Sequence, residues 1–209
     1  RVLDYLDKSN LDENTIIIYA SDQGFFIGEH GWFDKRFMYE ESIRMPFVIR
    51  YPAKIKPNTI NDDIITNIDF APTILEIAGI DTPESVQGKS FLKNLSEDEN
   101  KNWRQSMYYQ YYEYPFYHHV QPHYGIRNKR YKLIHFYYDI DVWEFYDLIE
   151  DPNELNNLFN SKNHQNIITD LKIELYNLKE EYGNNLSLNE MRKISDTDFG
   201  GLESNKGKK

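Results

Sequence analysis

The sequence predicts an α/β fold in its first half and a small antiparallel sheet with a helix in its second half. A strand, a polar loop, a second strand and a helix follow one another in the first hundred residues, an order typical of α/β proteins. After about residue 105, short aromatic segments recur at hairpin spacing, and a segment with helical periodicity follows them. We therefore divide the chain into an α/β part (1–100), an antiparallel subdomain with a helix (101–190) and a tail that we expect to be disordered (191–209).

The α/β part opens with a short apolar stripe of Val2, Leu3 and Leu6, which predicts the end of a helix. Residues 15–20 are a continuous β-branched and aromatic run, typical of a strand that is covered on both faces. The segment PFVIR (46–50) predicts a second strand. A polar and aromatic loop joins the two strands, and ligands of open α/β sheets bind at such strand ends.

The segment NIDFAPTILEIAG (67–79) predicts a helix with clear ends. Asp69 is a preferred N-cap residue, Pro72 suits the first turn, and Gly79 suits the last. In the second half, SMYYQYYEY, HYGIR, YKLIHFY and VWEFYDL predict four antiparallel strands. Five apolar residues that share one face at helical spacing predict a final helix, ended by Gly183: Ile168, Leu171, Leu175, Leu178 and Tyr182.

Composition narrows the classes of function. The 209 residues carry a net charge of −10, which argues against a general nucleic-acid binder because such a protein needs a basic face. The absence of cysteine excludes disulfides, thiolate metal sites and a cysteine nucleophile from this chain. No apolar run is long enough to span a bilayer. The chain opens within a helix and without an initiating methionine, so we expect it to be part of a longer protein.

The SDQG turn after the first strand is a candidate metal site. Asp22 and Gln23 place a carboxylate beside an amide oxygen, a hard-oxygen pair suited to Ca²⁺ or Mg²⁺. Gly24 lets the backbone turn so that both side chains can face one point. The competing interpretation is a simple turn between two strands.

The loop GEHGWFDKR holds four further candidates. Lys35 lies among aromatic residues, where a desolvated ammonium favours an anion such as a sulfate or phosphate ester; a surface lysine is the alternative. His30 could donate a hydrogen bond to an oxyanion, or it could simply form a hydrogen bond within its own loop. Asp34 and Arg36 flank Lys35 and would share one face of an extended segment, where they could contact sugar hydroxyls or form a surface ion pair.

Three histidines, His118, His119 and His123, lie within six positions. Zinc is disfavoured there because the spacing falls on an extended, proline-containing loop. Two interpretations remain: substrate contacts from His119 and His123, or structural histidines within an aromatic sheet. The tyrosines between residues 108 and 117 leave a similar choice between sugar stacking and core packing, and core packing is favoured for most of them.

Five segments in this order and spacing resemble the distal half of the type I sulfatases, the arylsulfatase family of the alkaline phosphatase superfamily: SDQG, GEHGWFDK, MYEESIRMPFVIRYP, IDFAPTILEIAG and YKLIHFY…WEFYDLIEDPNELNNL. The resemblance covers most of residues 1–183. It implies the C-terminal part of a sulfatase-type α/β sandwich, followed by that family's antiparallel subdomain. The HHVQPHYGIRNKRYKLIHF stretch is most similar to bacterial sulfatases of sulfated glycans, including those like N-acetylglucosamine-6-sulfatase.

The resemblance also implies roles for individual residues. Asp22 and Gln23 match ligands of a single Ca²⁺ whose other ligands lie upstream, and Lys35 matches the lysine that contacts the sulfate group. A histidine such as His30, or a lysine, would give a proton to the leaving alcohol. The family's nucleophile, a formylglycine made from a Cys/Ser-x-Pro-x-Arg motif, has no counterpart in this chain. We therefore expect the chain alone to be inactive. In glycan sulfatases the subdomain folds back over the active site, which makes His119 and His123 candidate substrate contacts.

The sequence thus indicates a part of a sulfuric ester hydrolase that acts on a sulfated sugar or glycan. The alternatives are a phosphonate or phosphodiester hydrolase of the same superfamily and a non-catalytic module that binds a glycan or a protein. The expected partners are a sulfated carbohydrate and the N-terminal half of the same protein, with self-association when that half is absent. By resemblance, the full-length protein is expected to be periplasmic or secreted.

Overall fold

The structure is a computed structural model that describes residues 1–96, 102–114 and 118–196. Its helices are α1 (Val2–Lys8), α2 (Glu40–Ile43), α3 (Phe70–Ile77), α4 (Leu92–Ser96), α5 (Gln165–Glu181) and α6 (Leu188–Ile194). Its strands are β1 (Ile17–Ala20), β2 (Phe26–Ile27), β3 (Phe33–Asp34), β4 (Phe47–Arg50), β5 (Ser106–Tyr111), β6 (His123–Asn128), β7 (Tyr131–Phe136) and β8 (Val142–Asp147). None of the helices within these ranges is long and apolar enough to cross a membrane.

The chain forms two compact units. The first contains residues 1–24 and 44–104, and the second contains residues 25–43 and the chain from 105 onward. The sequence-based division grouped residues 25–43 with the first hundred residues. In the structure this segment belongs to the second unit, because its residue Met38 is fully buried beside Ile134, Phe136 and Tyr146 of the antiparallel subdomain.

In the first unit, β1 pairs with β4 in antiparallel register, Ile17 opposite Arg50 and Ala20 opposite Phe47. Both predicted strands are confirmed, although β1 is two residues shorter than predicted. The expectation that β1 is covered on both faces is wrong for this structure. Tyr19 is 67% exposed, since the described residues supply no cover for that strand.

Helix α3 follows a 3₁₀ turn at Asn67–Asp69, and Asp69 occupies its N-cap position as predicted, although the Asp69 side chain makes no capping hydrogen bond to α3. Thr66 is the capping residue, and the Asp69 carboxylate closes a capping box by accepting from the Thr66 N–H at 2.8 Å. The Asp69 side chain therefore stabilises the start of the 3₁₀ turn, as the third residue of that turn. Gly79 ends the helix as predicted, with φ of 71°.

The second unit is built on a four-stranded antiparallel sheet in the order β5-β6-β7-β8, which confirms the predicted strands. Helix α5 covers one face, and its buried residues Ile168, Leu171 and Leu175 lie in the same core cluster as Tyr124 of β6. This confirms the predicted helical face. The opposite face of the sheet contacts the segment 25–43.

The first residues of the segment predicted as a disordered tail (191–209) are helical. Helix α6 runs through residue 194, capped by a reciprocal pair between Ser187 and Glu190. Met191 is 1% exposed and belongs to the core cluster with α5, so burial of an apolar side chain orders this part of the chain. Residues 197–209 lie outside the described residues.

Candidate functional site

The SDQG turn lies in the first unit, directly after β1. The Oδ1 atom of Asp22 accepts from the Gln23 N–H at 3.0 Å, and the Ser21 hydroxyl donates to the Gln23 carbonyl at 2.9 Å. These bonds hold the turn while the Oδ2 atom of Asp22 has no hydrogen bond from any described residue. The donor set therefore fits a hard cation, as one corner of a larger coordination shell. Within the described ranges, no group of three or more His, Asp or Glu residues could hold a metal by itself.

The segment 25–43 carries His30, Asp34, Lys35 and Arg36 within the second unit. Strands β2 and β3 pair as a short hairpin, with Phe26 opposite Asp34. Three of the candidate residues have a positive φ: 53° at His30, 117° at Asp34 and 95° at Arg36. Non-glycine residues rarely adopt such values, and they cluster at functional sites where the surrounding structure enforces them.

Contacts with Tyr39, Glu41 and the edge-on ring of Phe26 hold His30. Its ring stacks on Tyr39 with centroids 4.3 Å apart and an interplanar angle of 8°. Its Nε2 atom lies 3.5 Å from Oε2 of Glu41. Because the ring is fixed on one face and beside a carboxylate, its orientation is defined by the protein rather than by solvent.

Lys35 is half-buried and lies between Asp34 and Arg36 in the chain. Among the residues that the structure describes, no carboxylate lies within ion-pair distance of its ammonium group. The neighbouring acid Asp34 is instead paired with the guanidinium of Arg36. A partly desolvated cation without a protein counter-charge favours an external anion.

Asp34, Arg36 and His118 come together in the structure. The Nδ1 atom of His118 lies 3.2 Å from Oδ2 of Asp34, the same oxygen that contacts Arg36. Glu113 adds a further carboxylate at 4.0 Å from Nε of Arg36. The sequence placed Asp34 and Arg36 on a shared face, and the structure pairs them. It singled out the histidine cluster as well, but it selected His119 and His123 rather than His118.

The structure separates those two histidines. His123 is fully buried among the rings of Phe37, Tyr109 and Phe136, and its Nδ1 atom lies 2.8 Å from the Gln121 carbonyl. Burial lowers the pKa of His123 to about 4, so the ring is neutral near pH 7. The predicted substrate contact from His123 is therefore corrected to a core position, because its ring has no exposed surface.

His119 remains exposed, with φ of 52° and its ring edge-on to Tyr114 at 6.5 Å. The aromatic residues that the sequence assigned mainly to core packing include Tyr108 and Tyr109, which are half-buried in β5. Residues 115–117, the last of that aromatic stretch, lie outside the described residues.

Comparisons with known proteins show which proteins this chain resembles. Residues 28–181 match the family model described as N-sulphoglucosamine sulphohydrolase, C-terminal. An N-acetylglucosamine-6-O-sulfatase of Bacteroides thetaiotaomicron is 52% identical over 188 residues, which is 88% of this chain and 34% of the relative. An arylsulfatase of Clostridium perfringens is 37% identical over 162 residues, 76% of this chain and 32% of that protein.

A solved structure of a protein in complex with its substrate D-glucosamine-2-N,6-O-disulfate superposes with a TM-score of 0.85 at 50% sequence identity. The match covers 88% of this chain and 38% of that structure's chain. The chain thus spans about a third of the length of the curated relatives that it matches.

Proposed function

The chain belongs to the sulfatase family, whose C-terminal region it matches, and we propose that a longer protein carrying this chain hydrolyses the sulfate ester of a sulfated amino sugar. The main support for the proposal is that Lys35 is a half-buried cation without a carboxylate partner among the described residues. Its neighbours in the chain, Asp34 and Arg36, form a polar cluster with His118. A sulfate ester supplies the anion that this ammonium lacks, and its sugar supplies hydroxyls for the polar cluster.

Each residue has a distinct role in this proposal. Lys35 balances the negative charge on the sulfate oxygens, which grows as the ester bond breaks. His30, whose ring is held by Tyr39 and Glu41, gives a proton to the leaving sugar oxygen. The polar cluster orients the sugar, because a carboxylate and a guanidinium together bind one hydroxyl as acceptor and donor. His119 is a further candidate contact.

Asp22 and Gln23 are the proposed ligands of one Ca²⁺, completed by oxygen ligands from the upstream part of the protein. The free Oδ2 atom of Asp22 supports this assignment, and two oxygen donors fall short of the 6–8 that calcium takes. When bound, the ion would polarise sulfate oxygens, and an upstream formylglycine would supply the nucleophile. The chain alone is accordingly expected to hydrolyse nothing, and to self-associate through its uncovered strand β1.

The proposed substrate class is 6-O-sulfated glucosamine or a glycan that ends in it. The support is the similarity to the N-acetylglucosamine-6-O-sulfatase of Bacteroides thetaiotaomicron and the sulfated glucosamine in the superposed structure. We place the full-length protein in the periplasm or outside the cell, where such glycans occur. The upstream half of the same protein is the expected partner of this chain.

The test uses the full-length enzyme and follows sulfate release from N-acetylglucosamine 6-sulfate by ion chromatography. Lys35→Met is expected to lower kcat/KM by about 100-fold or more, the usual effect of removing one charge-stabilising group. Lys56→Met is the matched control, because it removes an exposed lysine outside the segment 25–43, and it should leave kcat/KM unchanged. Faster hydrolysis of a phosphodiester of the same sugar would favour the alternative, a phosphonate or phosphodiester hydrolase. No turnover of either ester by the wild type would favour a non-catalytic module.

A further inference from the structure

Glu154 is a buried carboxylate that the proposed function does not use. It lies in the motif DPNELNN, in the turn that follows β8, and its side chain is fully buried. Its backbone has a φ of 52°, an unfavourable value for a residue with a side chain. A buried acid in a strained turn requires strong compensating contacts, and these contacts lead to the segment 25–43.

Glu154 contacts the segment at the start of α2. Its Oε2 atom accepts from the backbone N–H of Glu40 at 2.7 Å, across 114 residues of sequence. Its Oε1 atom lies 2.6 Å from the ammonium of Lys132, which is itself fully buried in β7. The same ammonium lies 3.0 Å from Oε1 of Glu40. Lys132 therefore joins the DPNELNN turn to the first residue of α2.

Charges within this cluster are balanced. Arg127 of β6 adds a second cation, with its Nη2 atom 3.1 Å from Oε2 of Glu40. Burial raises the pKa of Glu40, but Lys132 and Arg127 outweigh that effect, so the net pKa is lowered. Burial raises the pKa of Glu154, and Lys132 offsets this only in part. Because unpaired buried charges are costly, removal of any one member forces the others to move.

Further bonds connect α2 to Lys35. The backbone N–H of Arg36 donates to the Ser42 hydroxyl of α2 at 3.0 Å. The carbonyl of Arg36 accepts from the Tyr109 hydroxyl at 2.6 Å. Burial raises the pKa of Tyr109 to about 12, so this hydroxyl remains a donor at neutral pH. Arg36, the residue after Lys35, is thus held at its N–H by α2 and at its carbonyl by β5.

We propose that Glu154 and Lys132 are positioning residues, which hold α2 and through it the Lys35 ammonium at the place where the sulfate group binds. The inference rests on the proposed function of Lys35. Glu154 touches no substrate atom in this scheme and acts only through the segment that it anchors. A merely structural role would lower stability without depending on Lys35.

The test is a double-mutant cycle in the full-length enzyme with Glu154→Gln and Lys35→Met. The glutamine keeps the shape and one oxygen, but its amide N–H₂ must face either the Lys132 ammonium or the Glu40 N–H, which are both donors, so α2 must shift. Glu154→Gln is expected to lower kcat/KM for the sulfated sugar by about 10- to 100-fold, the effect of a displacement near 1 Å. In the Lys35→Met background, Glu154→Gln should lower kcat/KM by less than about 2-fold, since the positioned group is absent.

Asp147→Asn is the matched control, because Asp147 is another buried carboxylate of the same sheet and is paired with Arg130 rather than with the segment 25–43. It should lower the melting temperature and leave kcat/KM unchanged. If Glu154→Gln folds poorly, Glu40→Gln removes charge from the same cluster and keeps the backbone bond to Glu154. Hydrogen exchange of amides 36–43 should accelerate in either variant.

The outcomes separate the two proposals. If Lys35→Met leaves the rate unchanged, the proposed function fails and the positioning role fails with it. If Lys35→Met slows the enzyme but the effect of Glu154→Gln is absent, or is equally large in both backgrounds, only the positioning role is overturned. Slow turnover by Asp147→Asn would likewise overturn it, since any buried carboxylate of the sheet would then have the same effect.

Discussion

Replacement of Asp69 by alanine removes the buried carboxylate on which the start of α3 depends. Asp69 has no exposed surface and accepts from the backbone N–H groups of Thr66 at 2.8 Å and Lys89 at 2.9 Å. It also pairs with the guanidinium of Arg104, whose side chain is 8% exposed. Asp69→Ala therefore leaves a buried cation and two backbone donors without their acceptor.

The magnitude follows from these contacts. Breaking a buried ion pair costs about 3–5 kcal/mol, and the lower end applies here because Arg104 keeps a bond to the Thr66 hydroxyl at 2.9 Å. Loss of the capping box adds about 1 kcal/mol. We therefore expect a destabilisation of about 4 kcal/mol in the opening free energy of α3, which corresponds to about 1,000-fold faster amide exchange.

Hydrogen exchange followed by mass spectrometry measures this effect on the amides of α3 (Phe70–Ile77). Asp81→Ala removes an exposed carboxylate shortly after the helix and is the matched control, with no expected change. Acceleration of less than 10-fold in Asp69→Ala, or equal acceleration in both variants, would refute the reasoning that this carboxylate compensates for the buried guanidinium.

Three further outcomes are expected. Asp22→Asn should weaken Ca²⁺ binding by the full-length enzyme at least about 10-fold in calorimetry, because an amide is neutral and a carboxylate is negatively charged. Arg36→Ala should raise KM for the sulfated sugar more than it lowers kcat, since the polar cluster binds the sugar in ground and transition states alike. Urea unfolding should show that acid destabilises the chain through His123. Burial lowers its pKa to about 4 in the folded state, against about 6.5 when unfolded. The unfolded chain therefore gains the proton first, and stability falls by up to roughly 3 kcal/mol from pH 6.5 to pH 4.

Each of these predictions has a control or an outcome that would contradict it. Glu29→Gln, at an exposed acid in the second unit, should leave Ca²⁺ affinity unchanged. A parallel fall of kcat in Arg36→Ala would contradict a binding role. His123→Phe should remove its share of the acid sensitivity, since phenylalanine suits the surrounding rings and does not titrate. An identical pH dependence of stability in wild type and His123→Phe would show that the buried ring does not contribute.

Local periodicity was sufficient to predict most of the secondary structure. The four aromatic strands of the antiparallel sheet and helix α5 follow from side chains that alternate at two residues or recur at 3.6. The order of five motifs was sufficient for the family resemblance, which the comparisons confirm. Such signals can be recognised in the sequence because each depends on only a few consecutive residues.

Pairings between distant segments were not predictable in this way. Thr66 rather than Asp69 begins the turn before α3, because the Asp69 carboxylate serves the residues at 89 and 104 as well. The contact of His118 with Asp34 and the burial of His123 depend on how the loop before β6 folds against the segment 25–43. No local pattern distinguishes three histidines within six positions.

The sequence by itself determined six strands (β1, β4 and β5 to β8), the helices α1, α3 and α5, the family and the residue types of a candidate sulfate site, since these depend on neighbouring residues and on motif order. Tertiary structure alone decided which of those residues meet. It brought His118 to Asp34, left Lys35 without a carboxylate among the described residues, and joined Glu154 to Glu40. The physical reason is burial: a charge that is removed from water must find its partner in three dimensions, and that partner lies anywhere along the chain.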